Sequence, residues 1–471
     1  MKTIFITITR GGLIRNLFRT GVINRLLEKG LRVVILTPYY KTPELFQDFQ
    51  HKNLFIEPLH WDQEEKFRGF IKEMCKGAVF NSSVYARYRY SIGTPKEPNK
   101  FFFPLRMIFF APLRIIPGAK RFIRRAYSIV NPLRAHDYLF LKYKPDLVFN
   151  TAAGGDCGVI NSAKRFGVRT VDMPKSWDNP SQALFNTKAD YLLVWSDFMK
   201  RKAVELQGYA DDEVIITGIP QFDFYARKDG LLSREEFCKK HGLDPGKKII
   251  LYGSAGAKLF DESQYVSLVR QFMDDGGLEK SSILVRPHLG YKGDVDRFLA
   301  LEGQVDIVID KTDKQNHALR DHFDTSIEHV HNLFNSLYHA DVCVNVASTL
   351  SLDAIACGTP ALNFNFDIDS SIESHKSIKR LFTSDYVKDL MATEGTYLAK
   401  NKEEFLNMLK AILEKEEKKN TQKTIDQFMH KLDGKSAQRI TDALLQILET
   451  IQVFCSMELK SQHAILFPKA C

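Results

Sequence analysis

The chain contains no C-x-x-C pair. Its cysteines, Cys75, Cys157, Cys238, Cys343, Cys357, Cys455 and Cys471, stand singly along 471 residues. Such spacing excludes a disulfide framework and a structural zinc finger, and it fits a reducing compartment. No uncharged apolar run approaches the roughly 20 residues that a spanning helix needs. The apolar run at residues 4–8 is too short for a signal-peptide core and is followed at once by Arg10. A cytoplasmic location is therefore expected. Carboxylates are almost missing from one stretch: between Val84 and Arg134, eleven lysines and arginines face Glu97 alone, whereas the whole chain has 66 basic and 57 acidic residues. A local excess of that kind draws anionic partners.

What is present is an alternation of short apolar, β-branched runs with amphipathic segments, the pattern of doubly wound α/β domains. Residues 2–9 read as an opening strand, Arg10-Gly11-Gly12 as a turn, residues 13–29 as a helix and residues 31–36 as a second strand. The third glycine of the dinucleotide fingerprint is absent, which argues against NAD. Residues 147–151, 168–173, 190–195 and 213–217 continue the alternation. Asp156 follows the first of these runs, and Ser176-Trp177-Asp178-Asn179 follows the second. A charged, less regular stretch over residues 222–245 marks a boundary, after which residues 248–252 begin a second domain with Gly253-Ser254-Ala255-Gly256 at its first turn. Two domains are expected, 1–221 and 222–451, with an uninterpreted tail at 452–471. Length supports the division, since a chain this long exceeds one core.

Residues 333–366 read as helix, buried strand, turn, helix and strand. The turn carries Ser348 and Thr349, and the helix after it carries Asp353. Hydroxyls and free N–H groups at the carboxyl end of a strand make an anion site, although Ser and Thr cap ordinary helices equally well. Residues 101–127 mix bulky apolar side chains with arginines and are cut by Pro104, Pro112 and Pro117. That composition suits an anionic membrane surface, with arginines snorkelling toward headgroups, as well as it suits a packed insertion with a solvated basic side. No helix-turn-helix or RNA-binding signature accompanies it, so nucleic acid is not an expected partner.

Several segments resemble the GT-B glycosyltransferase superfamily, in which two Rossmann-like domains face each other across a cleft. Thr217-Gly218-Ile219-Pro220-Gln221-Phe222-Asp223 resembles the interdomain linker of the group that holds surface-polysaccharide transferases, CDP-glycerol glycerophosphotransferases and UDP-GlcNAc 2-epimerases. Arg286-Pro287-His288 is similar to the Arg-x-His-Pro element of the glycerophosphotransferases, with Leu289 where proline is usual. Ser176-Trp177-Asp178-Asn179 together with Val194-Trp195-Ser196 is similar to cell-envelope glycosyltransferases.

The resemblance implies a metal-independent transferase with no resident cofactor. It would take a sugar from a nucleotide-activated donor and extend a cell-surface glycan or its lipid-linked precursor, peripherally on the inner face of the membrane. CDP-glycerol transfer, 2-epimerisation and a non-catalytic scaffold are the rivals. The donor would lie in the second domain, against Gly253, Ser254, Arg286, His288, Ser348, Thr349 and Asp353, where cations and hydroxyls stabilise a leaving phosphate. The acceptor would lie against Gly11, Gly12, Arg15, Trp177 and Asn179. Asp178, then Asp156, would take the acceptor proton. Asp367-x-Asp369 stands after a carboxyl-terminal strand, out of place for the metal pattern of GT-A enzymes.

Overall fold

The computed structural model describes residues 1–60, 66–90, 101–130, 134–153, 158–256, 260–278, 280–288, 290–291, 293–312, 314–319, 321–346, 348–416 and 418–450. Asp156 and the tail 452–471 lie outside the described residues. Two wholly parallel sheets form the frame. The first contains β1 (Thr3–Thr7), β2 (Arg32–Thr37), β3 (Leu54–Pro58), β4 (Leu147–Asn150), β5 (Arg169–Asp172), β6 (Tyr191–Val194) and β7 (Val214–Ile216) in the order β3-β2-β1-β4-β5-β6-β7. The second contains β8 (Lys248–Gly253), β9 (Ser281–Arg286), β10 (Ile307–Ile309), β11 (Val342–Asn345), β12 (Ala361–Phe364) and β13 (Tyr397–Ala399) in the order β10-β9-β8-β11-β12-β13. The chain is thus α/β with two doubly wound Rossmann-like domains, as the sequence pattern predicts.

Helices on both faces explain the unbroken apolar runs of the central strands. Every residue of β1 and of β9 is buried, and Ile4, Phe5 and Ile6 are fully enclosed. Phe5 lies in register with Val34 on one side and Val148 on the other and meets the Phe140 ring edge-on, so Phe5→Ala would cost about 3–5 kcal/mol. In each sheet the strand order reverses beside the first strand, between β1 and β4 and between β8 and β11. Crevices at such reversals are the usual ligand sites of open α/β sheets.

The two halves are stitched by the linker and by the last described helix, residues 436–450. Asp223 is buried and accepts the backbone N–H of Ser436 and of Ala437, both at 2.8 Å, so one carboxylate caps that helix. Arg439 Nε then donates to the Thr217 carbonyl at 2.8 Å. The apolar face of the helix, with Ile440, Leu444 and Ile447, joins the core beneath β1 and β2. The chain therefore returns to the first sheet at its end.

The basic insertion is helical: Lys66–Ala78, Ser82–Tyr90, Phe102–Phe110 and Ala119–Val130. Ile71, Cys75, Val84, Tyr88, Ile123 and Tyr127 give it a small core that rests on Leu184 and Leu206. Gly77 lets its helix sit on the Phe110 backbone, where any Cβ would collide. No single helix among the described residues is long and apolar enough to cross a membrane; the segments Phe102–Arg114 and Ala119–Val130 meet at 107°.

Candidate active site

A cleft of about 540 Å³ opens between the carboxyl edges of the two sheets. From the first half come Arg15, Asn16, Arg87, Lys175 and Trp195, from the linker Gln221, and from the second half Gly253, Arg286, His288, Ser348, Thr349 and Asp353. Among the described residues that line it, Asp353 is the only carboxylate, against four arginine and lysine side chains.

The position of Arg15 follows from a break in the first helix. The sequence reads as one helix over residues 13–29, but the structure has Gly11–Ile14, a π-helical turn at Arg15–Arg19, and Val22–Glu28 after Gly21 at φ +84°. Such turns re-aim side chains and recur at functional sites. Arg15 Nε donates to Asn16 Oδ1 at 3.0 Å, and its guanidinium lies over the Phe323 ring, 4.9 Å from the centroid. Burial works against its charge, and Tyr225, Asp353 and Asp321 offset part of that cost.

Asp353 sits in the helix Leu350–Ala356, one turn below the mouth of β11. Its Oδ1 accepts from Gln221 Nε2 at 2.6 Å and from the Tyr225 hydroxyl at 2.8 Å. Burial pushes its pKa up to about 6, while the Tyr225 hydrogen bond, Arg15 and Arg286 pull in the other direction. Ser348, ahead of that helix, caps it: its Oγ accepts the Leu350 N–H at 3.2 Å and donates to Asn345 Oδ1 at 3.1 Å. Thr349 lines the cleft without a side-chain cap bond. Gly253 ends β8 against Leu350, and the Leu350 side chain occupies the space a Cβ would take.

Arg286 is buried and paired with Asp310 at 2.6 Å. His288 follows it with an exposed ring. Its N–H donates to Asp294 Oδ2 at 2.7 Å, its Nδ1 accepts the Gly290 N–H at 3.0 Å, and its ring meets Tyr291 at 4.8 Å. The surrounding cleft walls lower its pKa through desolvation, which Asp294 partly offsets. With Nδ1 accepting from Gly290, the neutral ring carries its proton on Nε2, so it can take a further proton only at Nδ1, in place of the Gly290 bond.

The protein-family model described as CDP-Glycerol:Poly(glycerophosphate) glycerophosphotransferase matches residues 119–446, well over half of the chain. The chain belongs to this glycerophosphotransferase family. No curated protein matches it. Among solved structures it is similar to the UDP-GlcNAc 2-epimerase of Methanocaldococcus jannaschii, at 13% identity and a TM-score of 0.52 over 95% of this chain and 100% of that one. It is also similar to a putative UDP-N-acetylglucosamine 2-epimerase of Listeria monocytogenes, at 13% identity and a TM-score of 0.54 over 96% and 98%. A third likeness is to the UDP-GlcNAc 2-epimerase of Neisseria meningitidis bound to UDP-GlcNAc, at 10% and 0.51 over 95% and 100%. These likenesses concern the fold. Family and fold together make the protein a transferase of glycosyltransferase-like, GT-B architecture.

Other residues that the sequence singles out are engaged mainly in turns and packing. Gly11 donates its N–H to Asp321 Oδ1 at 3.2 Å, and a Cβ there would stand 2.7 Å from Leu319 and 2.9 Å from Phe323, so the loop of the second half closes directly on it. Gly12 faces open space. Trp177 is buried, edge-on to Tyr386 and Phe428, in the core shared by both halves. Asp178 precedes the short helix Asn179–Gln182, and its carboxylate takes the Gln182 amide beside the cleft wall. Burial raises its pKa against hydrogen bonding from Ser176 and the charge of Arg87 and Lys175. Asn179 Oδ1 accepts the Ser176 N–H at 3.2 Å and so shapes that turn.

Ser254 lines the cleft, but its hydroxyl lies 2.8 Å from Glu262 and 2.7 Å from Asp294 in a buried cluster completed by Arg297. That cluster, which the sequence did not reveal, holds the loop at residues 254–256 and, through Asp294, the backbone of His288. Asp367 accepts from Ser377 Oγ and the Ile378 N–H, and Asp369 from Ser371. Among the described residues no three His, Cys, Asp or Glu side chains group as metal ligands do.

Proposed function

We propose that the protein transfers a glycerophosphoryl group from CDP-glycerol, or a closely similar nucleotide-activated polyol phosphate, to a hydroxyl of a polyanionic cell-envelope glycan. The observation that supports this most is the charge of the cleft: Arg15, Arg87 and Lys175, with Arg286 held by Asp310, around one lining carboxylate of raised pKa. A diphosphate donor supplies the missing negative charge, and fixed cations supply the compensation that developing charge on a leaving phosphate requires, without a metal. The acceptor oxygen forms the new bond to the phosphorus that carries glycerol, the bridging P–O bond to CMP breaks, and the acceptor proton passes to a base. His288, exposed to the cleft and lowered in pKa, fits that base once its Nδ1 gives up the Gly290 N–H, with Asp178 at the wall as the second candidate. Arg286 and Ser348 would face the departing phosphate.

The helical insertion would seat the protein at a membrane. Phe101, Ile108, Phe109, Ile115, Phe122 and Ile129 are all more than half exposed, and Arg106, Arg114, Arg121 and Arg125 are exposed among them. Apolar side chains set among cations suit the interface of an anionic bilayer. Sugar transfer from a nucleotide sugar is the second reading, favoured by the GT-B architecture. Incubation with CDP-glycerol and with a panel of nucleotide sugars decides between them. CMP release with CDP-glycerol is the expected result; nucleoside diphosphate release from a sugar donor alone would establish the second reading, and no release or thermal stabilisation by any donor would end both.

A further inference from the structure

A second groove of about 550 Å³ lies beside the donor cleft at the carboxyl edge of the same sheet, between the segments that follow β12 and β13 and the helix Ser263–Asp274. Lys379, Lys400 and Lys402 line it together with the amides of Gln264, Gln271 and Asn401. All three lysines are exposed, and among the described residues no carboxylate pairs with their ammonium groups, although the Lys400 backbone N–H donates to Glu404 Oε2 at 2.8 Å. The one lining carboxylate, Asp367, already accepts from Ser377 Oγ at 2.6 Å and the Ile378 N–H at 2.8 Å. A short 3-10 helix, Ile378–Thr383, separates the two cavities: Lys379 faces the groove and Leu381 the donor cleft. Just beyond it, Asp385 is tied to Ser82 and Ser83 of the first half.

We propose that this groove holds a stretch of the phosphodiester-linked acceptor chain while its end is extended in the neighbouring cleft. The proposal rests on the glycerophosphotransferase reading above. Three flexible, strongly hydrated ammonium groups in an open groove suit a polyanion that slides. A single fixed phosphate would call for the planar fork of arginine in a closed pocket. The groove also shares an edge and a wall with the donor site, so a chain seated there emerges where the new bond forms.

The test is the triple variant Lys379→Ala, Lys400→Ala, Lys402→Ala in the full chain. All three side chains are exposed, so the fold is expected to stand, and the melting temperature checks it. Binding of a glycerophosphate oligomer is titrated over a salt series. The variant should bind on the order of tenfold more weakly, and the slope of log affinity against log salt should fall by about two, since each lost contact removes about 0.7. CDP affinity should not change. Unchanged oligomer affinity overturns the proposal. So does a loss seen only with Arg121→Glu and Arg125→Glu, which would put the chain on the basic helices, and so does tighter binding of a single-stranded oligonucleotide of equal charge. The failures are separable: if CDP-glycerol is never turned over, the transferase reading falls, while the oligomer titration still decides the groove. If both hold, the variant should also release shorter products.

Discussion

Asp353→Asn should make the protein more stable and less able to hold its donor. Burial raises the Asp353 pKa from 3.8 to about 6, a shift of about two units, and at about 1.4 kcal/mol per unit the ionised form costs the fold roughly 3 kcal/mol. The sign follows from the direction. Below pH 3.8 the group is protonated folded or unfolded and nothing is lost; as pH rises through about 6 the unfolded chain ionises more readily, and stability falls. Asparagine keeps an oxygen for the Gln221 and Tyr225 donors, at 2.6 and 2.8 Å in the wild type, and has no charge to desolvate. Melting curves should therefore coincide near pH 4 and separate as pH rises toward 7, with the variant higher. Donor affinity should move the opposite way. A carboxylate that accepts a donor hydroxyl contributes about 1.5–3 kcal/mol, so CDP-glycerol should bind about ten- to a hundredfold more weakly by calorimetry. A variant no more stable than wild type at pH 8 would refute the argument, because Arg15 and Arg286 would then compensate the buried charge in full.

His288→Gln should lower turnover by about 10²–10⁴-fold with CDP affinity retained; in the wild type the rate should rise with pH to a plateau, with its midpoint below that of an ordinary histidine, because desolvation lowers the His288 pKa and the proton must be off for it to act as base. If His288→Gln turns over normally and Asp178→Asn does not, Asp178 is the base. Arg121→Glu with Arg125→Glu should weaken sedimentation with anionic vesicles by at least about thirtyfold, at roughly 1 kcal/mol for each cation removed; unchanged sedimentation would leave the exposed apolar residues without this role. Arg124 is excluded from that variant because it donates to the carbonyls of Phe185 and Gln207 at 3.1 and 2.8 Å and holds the insertion to the first domain. Asp223→Ala strips the cap from the last helix and should destabilise the protein by about 3 kcal/mol or more, with early proteolysis near residue 436 as the readout.

The central strands were legible because burial on both faces leaves nothing to alternate: β1, β8, β9 and β11 each carry at least three consecutive apolar residues. Three of the four edge strands were not. Ile307–Ile309 and Tyr397–Ala399 have three residues each, and Leu54–Pro58 has no fully buried residue, so no periodicity marks them. The same asymmetry runs through the site. Arg286, His288, Gly253 and Ser348 stand directly after strands, where topology alone sends them to the cleft. The positions of Trp177 and Ser254 depend on what packs against them, namely Phe428 and Tyr386 for the one and Glu262 and Asp294 for the other. These partners are distant in sequence, and no local pattern announces them. Gln221 and Tyr225 carried a weak signal, lying in or beside the linker motif, but their bonds to Asp353 span 132 and 128 positions.

Those long-range bonds also fix how the cleft can open. The linker grips the second half through Gln221 and Asp353 and the returning helix of the first half through Asp223, all by buried contacts. The opposite rim is held more weakly. Gly11 to Asp321 is a single 3.2 Å bond, Arg19 donates to the Thr325 carbonyl at 3.0 Å, and Arg15 rests on Phe323. Buried hydrogen bonds to charged groups resist opening more than partly solvated ones, so the contacts at residues 321–325 are expected to give way before those at residues 217–223. Arg15 belongs to both the rim and the cleft. A phosphate that attracted Arg15 would compete with Phe323 and Asp321 for it, and so would couple ligand charge to the rim contact through one side chain.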